Sequence, residues 1–262
     1  MTTKNKPPLA PDVVKTGAGS VPAAKSAAGV PAAGSSSERE VAEFVTRLKS
    51  LAPSAAEGRG RLVFAMDATM SRQPTWDMAQ ALQAGMFQAV KDVGTLDVQL
   101  VYFRGAGECR TSKWVSNPDA LARLMTSVEC HGGFTQIRKV LSHAAKEAAQ
   151  RKVNALVFVG DAMEEDVDDL CGRAGALALV GVPVFLFQEG NEPQASRAFK
   201  EIARLTKGAH CRFDAGSAKQ LRELLTAVAV YAAGGRKALL ALSEKRDGQG
   251  ARLLIENMKK GG

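Results

Sequence analysis

From residue 61 to residue 232 the apolar positions follow two alternating patterns. Short apolar runs of strand length cover 61–66, 96–103, 153–159, 182–188 and 209–213, with a further short strand expected at 111–115 on the sheet edge. Between them, apolar residues recur at helical spacing. Met78, Ala81, Leu82, Gly85, Met86, Ala89 and Val90 share one face of a helix over 74–92. Val167, Leu170, Ala174, Leu177 and Ala178 do the same over 166–180. Further helices are predicted over 118–127, 135–150, 193–206 and 217–232. Asn117-Pro118-Asp119 and Pro74 mark two of the starts, because proline suits the first helical turn. Strands alternating with helices predict an α/β fold, doubly wound, in which a mainly parallel central sheet is flanked by helices on both faces.

The ends of the chain break this rhythm. Residues 1–37 are rich in Ala, Pro, Gly, Ser and Lys and hold no aromatic, a composition expected to stay disordered. Ser37-Glu38-Arg39-Glu40 has the spacing of a capping box, and Val41, Phe44, Val45 and Leu48 follow at helical spacing. Residues 38–60 therefore read as a helix and linker. Gly234-Gly235 marks a break, and 234–262 reads as a basic C-terminal segment with sparse helical patterns, a tail or a partner-docking stretch.

Charge follows the same division. The formal net charge is +8, yet residues 38–233 carry 24 basic against 23 acidic residues. The excess lies in the two ends, which disfavours a specific nucleic-acid-binding face on the body. Cys109, Cys130, Cys171 and Cys211 show no Cys-x-x-Cys spacing and read as free thiols. No uninterrupted apolar stretch approaches the length of a membrane span, and no secretory signal is visible. A cytoplasmic location is expected.

The candidate chemistry sits at strand ends. Leu62 to Met66 runs directly into Asp67, Thr69 and Ser71 at alternate positions. Ligands of open α/β sheets bind beyond the carboxyl ends of the strands, and a carboxylate with two hydroxyls suits a hard divalent cation. Thr135 follows Gly132-Gly133-Phe134 just before a helical pattern, and Asp161 ends the apolar run 156–160. Each residue also has a plainer role. Asp67 could cap its own turn, Thr135 could N-cap the helix behind it, Ser71 could be an ordinary loop serine, and Asp161 a solubilising strand end. The run Glu164, Glu165, Asp166, Asp168 and Asp169 reads as a charged first helical turn. Trp76 could be packing or an interface residue, and His131 an exposed loop residue.

In order and placement, Asp67-x-Thr69-x-Ser71, then Thr135, then Asp161 resembles the von Willebrand factor A family and its metal-ion-dependent adhesion site, over roughly residues 61–232. The departure is Thr69 where the family usually has serine; threonine keeps the hydroxyl and adds a methyl. The resemblance implies an intracellular protein-binding module in which Mg2+, with Mn2+ or Ca2+ as alternatives, receives a carboxylate from a partner's Asp or Glu. It implies Thr69 and Ser71 as direct ligands, Thr135 as a direct or switchable one, and Asp67 and Asp161 as the main source of negative charge. Intracellular members of the family work inside assemblies with ATPases or chaperone-like partners.

Two other readings stand beside this one. Asp67 and Gly160-Asp161 could serve a Mg2+-dependent phosphatase resembling the haloacid dehalogenase group, although Thr69 stands where that group keeps its general acid. The domain could also be a metal-free scaffold. No Ser-His-Asp arrangement, Walker loop or dinucleotide glycine motif accompanies these residues.

Overall fold

The computed structural model describes residues 59–260, which belong to the second of two compact units, Leu51–Gly262. The expected N-terminal tail and the helix expected near residues 38–51 lie outside the described residues. Six strands form one sheet in the order β3-β2-β1-β4-β5-β6, with β1 Arg59–Asp67, β2 Thr95–Arg104, β3 Glu108–Thr111, β4 Ala155–Gly160, β5 Val184–Glu189 and β6 Ala209–Phe213. All neighbours are parallel except β3, which runs antiparallel to β2. Among the described residues, seven α-helices accompany the sheet: α1 Gln73–Ala89, α2 Pro118–Thr126, α3 Ile137–Gln150, α4 Val167–Leu179, α5 Pro193–Thr206, α6 Ala218–Ser243 and α7 Gln249–Lys260.

Alternate side chains of the central strands enter two separate cores. Leu62, Phe64 and Met66 of β1 join Val157 and Phe185 beneath α1 and α6. Val63 and Ala65 join Leu156, Phe158 and Leu186 beneath α3, α4 and α5. A strand covered on both faces has no polar side to show, which is why β1, β4 and β5 read as apolar runs rather than alternations.

Local signals set the helix starts. Asn117 accepts a hydrogen bond from Ala120 N at 2.9 Å, Asp166 accepts one from Asp169 N at 2.8 Å, and Pro74 and Pro193 lie in first turns. Glycine sets one close approach: a Cβ on Gly250 would lie 2.4 Å from the Glu223 carbonyl oxygen, so α7 can press onto α6 only without a side chain there.

The structure differs from the sequence reading in three places. The edge strand is Glu108–Thr111 rather than 111–115, because the turn at Gly105, with φ +61°, folds the chain straight back from β2. Val115 keeps a single bridge to Val98. The helix expected to begin at Thr135 begins at Ile137.

The third difference concerns the C-terminal segment, which is helical and packed rather than a loose tail. Gly235, at φ 66° and ψ −163°, does break α6. Beyond it, however, Leu239, Ala251 and Leu254 are buried in the same core as Ala209, Cys211 and Phe213 of β6. A few apolar residues suffice because the edge strand supplies the other half of the contact. Among the described residues α6 is long and apolar enough by composition to cross a membrane, but it is broken at Gly235, and Leu221, Leu224, Leu225 and Val228 pack in the core.

Candidate metal centre at the switch point of the sheet

Strand order reverses between β1 and β4: from β1 the chain winds outward to β2, and from β4 the opposite way to β5 and β6. The loops leaving the two strands therefore part, and their carboxyl ends frame a crevice. Asp67 is the last residue of β1, and Asp161 directly follows Gly160, the last residue of β4. Asp67, Thr69, Ser71, Thr135 and Asp161 all line one cavity of about 200 Å3, together with Gly132, Gly133 and Glu164.

The Asp67 loop and the glycine loop are tied in place by backbone bonds. Ala68 N donates to Phe103 O at 3.0 Å, and His131 N donates to Ala68 O at 3.0 Å, which brings the glycine loop to the Asp67 loop. Phe134 N donates to Gly105 O at 3.3 Å. Gly133 lies so close to Gly105 that a Cβ would stand 2.3 Å from its backbone nitrogen and oxygen. Only glycine fits this approach, and it delivers Thr135 to the cavity.

Several of the plainer roles can be judged from contacts. Asp67 does close an Asx-type turn, accepting from Thr69 N through Oδ1 at 2.7 Å. Thr135 does not cap α3. The first amides of that helix, Ile137 N and Arg138 N, donate instead to the Glu165 carboxylate. Thr69 and Ser71 place their hydroxyl oxygens 3.5 Å apart. Trp76 is packing, 1% exposed, with its indole N–H donated to Met125 O and its ring edge-on to Tyr102. His131 is largely exposed, in a contact of 3.5 Å with Glu129.

Three residues of the surroundings escape a reading of the sequence. Glu164 is no part of a helical turn: it accepts from the Thr135 hydroxyl at 2.7 Å and from Thr135 N at 3.0 Å. The acidic run is thus divided, with Glu164 on Thr135, Glu165 on α3, and Asp166 as the N-cap of α4. Arg72, 5% exposed, pairs with Asp161 at 3.3 Å and also with Glu189, whose carboxylate takes the Thr75 hydroxyl as well. An Arg just past the Asp67 loop is visible in the sequence. That it turns inward to two strand ends 89 and 117 residues away is not.

The donor set consists of oxygen alone. Asp67 is 3% exposed, and its pKa is pushed up to about 6, first by burial and then by the charge of Asp161; the Thr69 hydrogen bonds and Arg72 act against this. A buried carboxylate held above its ordinary range is one that a cation would strongly favour in its charged form. With three hydroxyls and a second aspartate on the same cavity, the residues fit a hard divalent ion. Among the described residues no group of three or more His, Cys, Asp and Glu side chains is placed to hold a metal ion by itself, so the fit rests on hydroxyls, not on a nitrogen, sulfur or all-carboxylate cage.

No protein-family model matches the sequence, and no curated protein matches it. Solved structures do match the fold. The chain superposes on a von Willebrand factor type A protein from Catenulispora acidiphila with a TM-score of 0.54 and 14% identity, over 66% of this chain and 43% of that one. Proximal thread matrix protein 1 from the mussel byssus gives a TM-score of 0.55 at 17% identity, over 76% of this chain and 53% of that one. The SpRpn10 VWA domain gives 0.50 at 11% identity, over 67% of this chain and 97% of the domain. The fold is therefore that of a von Willebrand factor A domain. At these identities the likeness is one of fold, and the chain spans under two thirds of the first two proteins.

Proposed function

We propose that this domain is a protein-binding module whose cavity at the β1–β4 switch point holds Mg2+, with Mn2+ or Ca2+ as alternatives. Thr69, Ser71 and Thr135 would offer hydroxyl oxygens, and Asp67 and Asp161 the negative charge. Bound there, the ion would supply an open coordination position for an Asp or Glu carboxylate of a partner protein. The residues of the chain do the rest: Gly133 seats Thr135, the Thr69 amide fixes one oxygen of Asp67, and Glu164 orients the Thr135 hydroxyl. The observation that carries the reading is convergence, since Asp67, Thr69, Ser71, Thr135 and Asp161 line one small cavity at the carboxyl ends of the strands. The setting implied by the sequence resemblance is a cytoplasmic assembly with an ATPase or chaperone-like partner.

One observation favours a metal-free scaffold as the second reading. Arg72 already sets a permanent positive charge against Asp161. The phosphatase reading has less support, because the cavity is walled by Asp67, Asp161 and Glu164 with no Lys or Arg among its described lining residues. Titration calorimetry with Mg2+ and Mn2+ on wild type and Asp67→Ala separates the two main readings. The module reading expects saturable binding that is lost in the variant. Absence of binding by wild type would leave the scaffold. Pull-downs with and without chelator then test whether partner capture needs the ion.

A further inference from the structure

A second cavity, of about 630 Å3, opens at the other end of the same sheet rim, around edge strand β6. It shares no lining residue with the Asp67 site. Lys200 of α5 and His210 and Arg212 of β6 line it, with Phe213 and, across the opening, Leu253 of α7. Lys200 and Arg212 are exposed, and neither has an acidic partner within ion-pair distance among the described residues. Arg212 donates its Nε to Gly190 O at 3.1 Å, and its two terminal nitrogens have no hydrogen-bond partner among the described residues. The one carboxylate on the lining, Asp214, is turned to the Gln220 amide at 3.2 Å.

His210 adds a third group. It is 8% exposed. Gln188 gives its amide N–H to Glu192 O at 2.9 Å, so its oxygen faces Ser196 Oγ and His210 Nε2, at 2.7 and 2.9 Å. That orientation puts the imidazole proton on Nε2 and leaves Nδ1 without a hydrogen-bond partner among the described residues. Burial first, then Lys200 and Arg212, hold the ring neutral, with its pKa down to about 4. An anion between the two cations would remove the repulsion and favour protonation, turning Nδ1 into a donor.

We propose that this cavity binds a phosphate-bearing small molecule, with the phosphate set among Lys200, Arg212 and His210 and an apolar portion against Leu253, which is 39% exposed. Two permanent positive charges and one inducible charge suit a group carrying about −1.5 to −2 at pH 7. The free end of a guanidinium matches two oxyanion oxygens at once. The volume falls in the range of roughly 300–1,000 Å3 typical of small-molecule pockets and exceeds what a bare phosphate fills. The proposal does not depend on the Asp67 site.

Phenyl phosphate is the probe, read by calorimetry and by the 15N-labelled imidazole signals of the full chain. Binding is expected to shift the His210 ring signals and raise its pKa. Benzoate should bind more weakly, and phenol not at all. K200Q/R212Q, which changes only exposed side chains, should weaken binding at least about tenfold, while Asp67→Ala leaves it unchanged. Four results would overturn the proposal: no His210 shift at millimolar phenyl phosphate, undiminished binding by the double variant, benzoate binding as tightly as phenyl phosphate, or loss of binding in Asp67→Ala.

Discussion

Replacing Asp67 with Asn should make the domain more stable while removing its candidate metal site. The Asp67 carboxyl is 3% exposed and titrates at about 6 instead of 3.8. Between those values the folded protein holds a proton that the unfolded chain has released, so stability falls as pH rises from about 4 to above 6. The loss is complete above the folded value. At about 1.4 kcal/mol per pKa unit, the penalty of the charged form at neutral pH is on the order of 3 kcal/mol. Asparagine keeps an oxygen for the Thr69 amide but never takes up the charge. In chelator near pH 7.5, the urea midpoint of Asp67→Asn should therefore exceed that of wild type by an amount on the order of 3 kcal/mol, and the gap should close near pH 4. With Mg2+ at about 100 times Kd, wild type should recover about 2.7 kcal/mol and the variant none. A variant no more stable than wild type in chelator, or a gap of the same size at pH 4, would refute the reasoning. Equal Mg2+ stabilisation of both proteins would separately dismiss Asp67 as a metal residue.

Other perturbations probe the parts around it. Leu254→Ala should cost about 2–5 kcal/mol, because Leu254 is 0% exposed and belongs to the main core, whereas Leu253→Ala, 39% exposed, should change the urea midpoint little. Equal effects would contradict the packing of α7. Arg72→Met strands Glu189 beneath the sheet rim and should destabilise by about 3–5 kcal/mol by thermal or urea melting; a neutral result would mean that Arg72 is not the partner of both acids. Gly133→Ala forces a methyl onto the Gly105 backbone, so Mg2+ affinity by calorimetry should drop while far-ultraviolet circular dichroism stays native; unchanged affinity would mean that the loop does not seat Thr135.

Much of this protein was legible without coordinates because strong local patterns speak for themselves. The apolar runs at β1, β4 and β5 reveal strands buried on both faces, and proline and Asx residues reveal helix starts. The helix Pro193–Thr206 and the strand Ala209–Phe213 stand where the periodicity put them. Asp67, Thr69 and Ser71 at the end of β1 and Asp161 after β4 also stand where the alternation of strand and helix put them, while Thr135 reaches the same cavity from the loop before α3. The edge strand was misplaced because a short antiparallel return depends on one glycine turn, and its four residues carry little periodicity of their own.

What lay beyond the sequence is every contact between distant segments whose signal is not repeated along the chain. Glu164 and Glu165 look alike in a row of acids, yet one holds the Thr135 hydroxyl and the other caps a helix that starts 28 residues earlier. Arg72 turns inward to two strand ends, and α7 anchors on β6 through a handful of apolar residues. Periodicity along the chain marks most buried positions of each element, although Ala81, read as part of the apolar face of α1, is exposed and Phe87 is buried. Which partner a lone charge or a sparse apolar face finds is decided only when the sheet brings residues far apart in sequence within a few ångströms of each other.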